Sequence, residues 1–431
     1  MKIKYFYPAA FWIGLLTLFF HNGFAQSRGD AHLEYAAGND ALQLPPGFQV
    51  VIIAQHIGAA RHIAVRENGD IYIALYARHE GGCMAAIHVD PKTGKADEIK
   101  YFGDLGRGTG MAIHDGYLYF GCDTAIVRYK LKPGYLLPDS HAEFIARLPV
   151  QHEHEARSLA FDNEGHVFVN VGAPSNDCQV QDRVKGSPGQ DPCPLLPLRA
   201  GIWRFSASKM DQTQEKGGSR YVTGIRNCVA LAWNPAAHKL YAVMHGRDQL
   251  HQFFPQYYTE EQGAELPAEE FLMFKEGGNY GWPFVYYDEF QKKLMICPEY
   301  GGNGKMAAPP GKYQNPIMGF PGHWAPDGLL FYTGRQFPAK YRNGAFIAFH
   351  GSWNRSPLPQ KGYDVVFVPF RGDLPSGKQE VFAGNFSGKP VLKSPGDSRY
   401  RPCGLAQGPD GSLYVTDDSH GTVFRIIYTG K

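Results

Sequence analysis

The chain has 431 residues, with 43 Lys and Arg against 41 Asp and Glu and a formal net charge of +2. This near balance, without a basic stripe or an arginine-rich tail, excludes a nucleic-acid-binding footprint. Aromatic residues at 14%, with 51 Gly and 31 Pro, point to many short strands and tight turns and away from helix bundles.

Residues 1–25 read as a cleaved export signal. Lys2 and Lys4 form a positive n-region, Pro8 to Phe20 is an apolar core too short to span a bilayer, and Gly23-Phe24-Ala25 is a small-x-Ala cleavage site. No later apolar run is long enough to cross a membrane. The expectation is a periplasmic or secreted protein whose residues 26–431 form one domain. Seven cysteines in an exported chain permit disulfides and leave at least one thiol unpaired. Cys178 and Cys193 bracket a polar, Gly/Pro-rich segment that would not order itself, and closing a loop of about 15 residues is worth roughly 3 kcal/mol. Those two are the expected pair. Cys122, Cys228, Cys297 and Cys403 read as packed thiols, Cys83 follows a Gly-Gly turn, and no C-x-x-C-H motif offers a haem of the chain's own.

After a polar lead-in, Leu44-Pro-Pro-Gly-Phe opens a strand that runs to Ala54. A strand–turn–strand pattern then begins at Arg61–Val65 and Ile71–Leu75, joined by the turn Glu67-Asn-Gly-Asp70. It returns at Gly110–His114 with Tyr117–Gly121, and at Leu159–Phe161 with His166–Val171. Further copies follow at Asn227–Trp233 with Lys239–Val243, at Ala325–Tyr332 with Gly344–His350, and at Arg401–Ala406 with Ser412–Thr416. Period-two alternation argues for strands and against a helical solenoid. Six such units, with longer insertions after the third, fourth and fifth, predict an all-β, six-bladed β-propeller. Closure is expected by pairing Phe48–Ala54 with Gly421–Tyr428 in the last blade, which protects both edges.

In a propeller the segments leading into the innermost strands converge at one end of the axis. Arg61-His62, His154 with Arg157, Arg226-Asn227, His323 and Arg399-Tyr-Arg401 all stand in such segments. Cations gathered there without matching carboxylates would repel one another, so the expected ligand is multiply anionic. His154, close before its strand, is a proton acceptor suited to neutral pH.

The same residues carry a family resemblance. Leu44-Pro-Pro-Gly-Phe48, His154-x-x-Arg157, Gly224-Ile-Arg-Asn227, Gly278-Asn-Tyr-Gly-Trp-Pro283, His323-x-Ala-Pro326, Gly351-Ser-Trp-Asn-Arg355 and Arg399-Tyr-Arg401 together resemble the sorbosone dehydrogenase and pyranose dehydrogenase group of pyrroloquinoline quinone (PQQ) enzymes, and more distantly soluble glucose dehydrogenase. The resemblance spans residues 44 to about 428. It implies a PQQ-dependent sugar or sugar-aldehyde dehydrogenase in which His154 is the general base and hydride passes to the quinone. It implies cofactor contacts from Arg157, Arg226, Asn227, His323, Arg355, Arg399 and Arg401. Gly246 and Arg247 stand where the family holds Ca2+ with two backbone carbonyls, although His245-Gly-Arg replaces the Gln-Gly-Pro of glucose-type members. No D-x-D-x-D-G loop supplies a carboxylate cage, so a calcium site would use carbonyls, water and the cofactor. Electrons would leave to a separate cytochrome or quinone acceptor. Two other classes stay open on residues alone: a non-catalytic carbohydrate- or protein-binding propeller, and a calcium-dependent lactone hydrolase, which would need several converging carboxylates.

Overall fold

The computed structural model describes residues 1–2 and 32–430, so the expected export signal lies almost wholly outside the described residues. Six antiparallel sheets stand around a common axis as the blades of a propeller. Blade one comprises Ala60–Val65, Ile71–His79, Gly82–Val89 and Ala96–Phe102, in that order outward from the axis. Blades two and three repeat the meander from Gly108–His114 to Glu143–Arg147 and from Leu159–Phe161 to Ser219–Thr223. Blade four runs from Ala230–Asn234 through Glu269–Met273 to Met318–Phe320, and blade five from Pro326–Phe331 to Glu380–Ala383. The six innermost strands touch one another in a closed ring.

Blade six holds the expected closure. Pro402–Gln407, Leu413–Asp417 and Thr422–Tyr428 come from the end of the chain, and Phe48–Ala54 pairs outside them with Phe48 opposite Tyr428 and Val50 opposite Ile426. Chain start and chain end therefore share one sheet, and neither edge is left as a template for another chain. Phe48 anchors the junction, with its ring centroid 4.8 Å from that of Phe337, 5.0 Å from Phe382 and 5.0 Å from Tyr428.

The second strand of each blade is buried on both faces, because each sheet is sandwiched between two neighbours. In Ile71–Leu75, Ile71, Ile73 and Leu75 pack with Ala406, Tyr414 and Val423 of blade six, whereas Tyr72 and Ala74 pack with Met111 and Phe120 of blade two. Alternate residues thus serve two different cores, and the strand reads as one apolar run. A channel of about 390 Å³ is lined by one innermost strand from every blade, through Ile63, Met111, Phe161, Leu231, Leu329 and Leu405 among others.

Three features depart from the sequence reading. The innermost strand of blade four begins at Ala230 and not at Asn227, because Asn227 is drawn into the loop above it by Asn170. Blade four also carries two short helices, Leu250–Phe253 and Glu260–Glu265, and an extra hairpin, Val285–Asp288 with Lys293–Ile296, inside its insertions. A capping box at Thr259 and Gln262 starts the second helix. The Cys178–Cys193 disulfide is present, and Cys83, Cys122, Cys228, Cys297 and Cys403 are free and buried.

Two outcomes follow from this packing. Phe48→Ala should destabilise the fold by about 3–5 kcal/mol through the cavity it leaves at the closure, seen as a lowered denaturant midpoint. Non-reducing peptide mapping should recover Cys178 and Cys193 in one linked fragment, with the other five thiols unreactive to alkylation until the protein is unfolded.

Candidate active site

Chain direction decides which loops meet. Every innermost strand starts at the same end of the propeller, so the connections into the first strand and between the second and third strands all emerge there. A cavity of about 150 Å³ lies at that end, lined by such connections from blades three, four and five. His154 and Arg183 come from around blade three, Arg226, His245, Gly246 and Asp248 from blade four, and His323, Trp353 and Asn354 from blade five.

His154 is held from several sides. Its backbone takes the left-handed conformation, φ 50°. The Gln151 side-chain amide donates to the carbonyls of Glu153 at 2.7 Å, His154 at 2.9 Å and Gly172 at 3.2 Å. Gly172 lies so close beneath that a Cβ there would stand 2.7 Å from the His154 Cβ, which accounts for glycine at that position. The ring Nδ1 is 2.5 Å from the Ala173 carbonyl oxygen. A carbonyl only accepts, so Nδ1 carries the proton and Nε2 keeps its lone pair. Burial pushes the His154 pKa well below the ordinary imidazole value, and the Arg226 charge adds to the effect. The ring is therefore neutral and able to accept a proton.

Asp248 organises the polar side of the cavity. Its Oδ2 accepts from Arg226 Nη2 and from Arg183 Nη1, each at 3.1 Å, and its Oδ1 accepts from Asn354 Nδ2 at 2.7 Å. His323 Nδ1 lies 3.7 Å from the same Oδ1, while its Nε2 meets the Gly263 carbonyl at 3.1 Å. Burial opposes charge on Asp248, but Arg226, followed by His323 and Arg183, outweighs it and holds the carboxyl below its usual range. Glu269 accepts the Gly246 N–H at 3.0 Å and the Ala325 N–H at 3.3 Å, and burial raises its pKa. Beneath the cavity His245 Nε2 reaches Asp327 at 3.2 Å, and Asp327 pairs in turn with Arg61 at 3.1 Å. Burial works against a charged His245, yet the hydrogen bond with Asp327 lifts its pKa above the ordinary value.

The expectation of converging cations without matching carboxylates is overturned. Arg61 pairs with Asp327 and Asp418, Arg226 with Asp248, Arg247 with Asp177 and Glu299, Arg355 with Glu265, and Arg399 with Asp40. The physical reason is that a buried guanidinium needs a compensating charge, and here the partners come from distant loops. Of the residues singled out in the sequence, His154, Arg226, His323 and Gly246 line the cavity. Arg157 does not: it is fully buried, its Nε and Nη2 donate to the Asp123 and Pro149 carbonyls, and burial lowers its pKa to about 10. Arg399 lies away from the cavity, half-exposed beside Asp40 at 2.6 Å. Arg401 donates to the His350 carbonyl at 3.1 Å and the Gly351 carbonyl at 2.6 Å, and Arg355 to the Ala264 and Gly322 carbonyls. Both arginines thus brace the segments that present Trp353 and His323. Asn227 receives Asn170 Nδ2 at 2.9 Å and supports the floor. Arg247 is sealed behind the cavity. Among the described residues, no hydrogen bond reaches the carbonyl oxygens of Gly246 or Arg247.

Sequence reasoning missed Asp248, Glu269, Asp327 and Arg183. Asp248 directly follows His245-Gly-Arg247, which was the available signal, whereas Asp327 sits in a Pro-Asp-Gly that reads as a turn. A cluster of Asp162, Glu164 and His166 lies on a turn between first and second strands, at the opposite end. There Asp162 Oδ1 accepts the N–H groups of Glu164 and His166 at 2.9 Å each, and its Oδ2 meets His166 Nδ1 at 2.8 Å, as a turn requires.

A family model described as TrAA12-like matches residues 42–429. The chain belongs to this family. The match agrees with the resemblance carried by Gly278–Pro283 and Gly351–Arg355. Among solved structures, the calcium structure of a Trichoderma reesei carbohydrate-active enzyme of family AA12 superposes with a TM-score of 0.72 at 17% identity, covering 93% of this chain and 99% of that one. The holo form of the pyranose dehydrogenase PQQ domain from Coprinopsis cinerea gives a TM-score of 0.71 at 18% identity, with 93% and 99% covered. Likenesses at this identity speak for the shared propeller. In sequence, a PQQ-dependent pyranose dehydrogenase of Coprinopsis cinerea is 31% identical over 132 residues, 26% of this chain and 16% of that protein. An uncharacterized protein of Borreliella burgdorferi is 30% identical over 208 residues, 48% of each. The chain thus spans about half or less of the length of these curated relatives.

The His154 geometry is open to direct measurement. Its ring should titrate with a midpoint below about 6.5, the unperturbed value, in histidine-labelled NMR spectra, and Arg226→Gln should raise that midpoint by removing one of its causes. Since the folded-state value is the lower, the unfolded chain takes up the proton first. The His154 contribution to stability is therefore present above about pH 6.5 and is lost as pH falls through the folded value.

Proposed function

We propose that this protein is an exported PQQ- and Ca2+-dependent dehydrogenase that oxidises a sugar or sugar-derived aldehyde at a hydroxyl or hemiacetal carbon. The observation that carries the reading is His154 Nε2, with its lone pair free at a cavity and its tautomer set by the Ala173 carbonyl. Family membership supports it, as do the relatives whose names specify PQQ and pyranose.

The residues present fit both groups. Arg226, His245 and His323 offer donors to a flat polyanion, and the unpaired carbonyls of Gly246 and Arg247 are ligands of the type Ca2+ takes. When bound, PQQ supplies a two-electron acceptor for hydride and Ca2+ a Lewis acid that polarises it. His154 takes the hydroxyl proton at Nε2, and its fixed ring keeps that atom in place. Arg226 and His323 are assigned to the cofactor, with Asn227 beneath them. Arg355 and Arg401 act by holding the loops of blade five. With no haem motif in the sequence, electrons leave to a separate cytochrome or quinone.

A lactone-hydrolase reading is less well supported. Asp248 and Glu269 do line the cavity, but Asp248 is engaged by Arg226, Arg183 and Asn354, and Glu269 by two backbone N–H groups.

The test is an absorbance titration with PQQ and Ca2+, then steady-state kinetics with a dye acceptor. His154→Ala should keep the cofactor and lose about 10²–10⁴-fold in turnover. His152→Ala, at an exposed residue, should stay close to the parent. The acidic limb of the parent's kcat profile should lie below the ordinary imidazole value, since a protonated base accepts nothing. Near-parental turnover in a cofactor-loaded His154→Ala would remove this histidine as the base.

A further inference from the structure

Arg183 was invisible as a site residue in the sequence, yet it lines the same cavity as His154. It stands inside the segment closed by Cys178–Cys193, and that segment is built to hold it. Gln179 Oε1 accepts the Arg183 N–H at 3.1 Å, and the Gln179 amide donates to the Val184 and Ser187 carbonyls. Asp182 Oδ1 accepts from Ser175 Oγ at 2.5 Å and from the Asn176 N–H at 2.9 Å, tying the segment back to the end of the blade-three strand. The guanidinium then spans three loops. Nη1 donates to Asp248 at 3.1 Å and Gln249 at 3.2 Å, and Nε lies 3.5 Å from Glu153, the neighbour of His154.

Nη2 makes no hydrogen bond among the described residues, and the side chain is 28% exposed. Beside it the cavity offers complementary groups: Asn354 Oδ1, buried without a partner, and the indole of Trp353, 59% exposed. A donor, an acceptor and an aromatic face are what a polyhydroxylated ring requires. Charge decides between a neutral and an anionic ligand. Asp248, Glu153 and Asp182 all lie within 4 Å of this guanidinium, at 3.1, 3.5 and 3.8 Å, so its positive charge is already matched. A carboxylate placed at Nη2 would meet those three acids, whereas a hydroxyl would not.

We infer that Arg183 is the sugar-specificity residue of this site, its free Nη2 donating to a hydroxyl of a neutral sugar while the surrounding acids disfavour uronic acids. The assignment rests on the dehydrogenase reading for its ligand class and not for its geometry.

Calorimetric titration of the parent, Arg183→Gln and Arg183→Lys with a neutral aldose and with its uronic acid tests this, alongside a separate PQQ titration. Loss of one charge-assisted hydrogen bond should weaken neutral-sugar binding about tenfold in Arg183→Gln. Lysine, lacking the planar fork, should restore only part of it. PQQ affinity should stay within about twofold, and the parent should bind the aldose at least about tenfold more tightly than the uronate. A drop in PQQ affinity with sugar binding unmoved would reassign Arg183 to the cofactor and overturn the inference. So would equal sugar binding in parent and Arg183→Gln, or a parent that prefers the uronate. A parent that takes up no PQQ would sink the dehydrogenase reading, and the sugar titration on that same protein would still decide the role of Arg183.

Discussion

The pairing of Phe48–Ala54 with Thr422–Tyr428 is the constraint on which everything else depends. Each blade buries both faces of its sheet against neighbours, so no blade has a core of its own. An open ring of six would leave two of those faces in water, together with two unpaired edges. Joining the first strand of the fold to the last sheet removes all four liabilities at once. It also fixes the innermost strands as a closed ring, and the cavity is defined only because connections from blades three, four and five are carried to one end of that ring.

The polar end of the ring obeys a second constraint. Four arginines with little or no exposure, Arg61, Arg226, Arg247 and Arg355, could not gather at this end of the axis unless each met an opposite charge. The carboxylates that meet them arrive from other loops: Asp327 and Asp418 from blades five and six for Arg61, Glu265 from blade four for Arg355, and Asp248 from a second loop of blade four for Arg226. These pairs are weak evidence for added stability, since desolvation cancels much of the attraction. Their geometric effect is firmer, because each ties together two loops that are separate in the chain. The result is a site whose shape is set by ion pairs and at whose mouth Arg183 keeps an uncommitted donor.

Much of this was legible in the chain. The strand–turn–strand units from Arg61 to Thr416 show their period and their turn residues locally, so blade number and closure could be read from them. His154 was legible because it stands just before a strand that any propeller must send to the axis. What could not be read was partnership. Arg399 and Asp40 lie 2.6 Å apart but at opposite ends of the sequence, and nothing local to Arg399-Tyr-Arg401 announces an acid there. Arg157 looked like a ligand-binding cation and is a buried strut between blades, because Gly110 and Gly121 give its backbone room that only glycine allows. Asp327 was hidden by Pro-Asp-Gly, a tripeptide that serves turns elsewhere and here opens a strand.

The position of the cavity has a consequence of its own. Ile63, Met111, Leu231 and Leu329 of the innermost strands turn into the cores between blades, so the blades are locked side by side around the axis. Whatever enters the cavity beside His154 meets the loops of blades three, four and five together. A displacement of any one of those blades would therefore reshape the site.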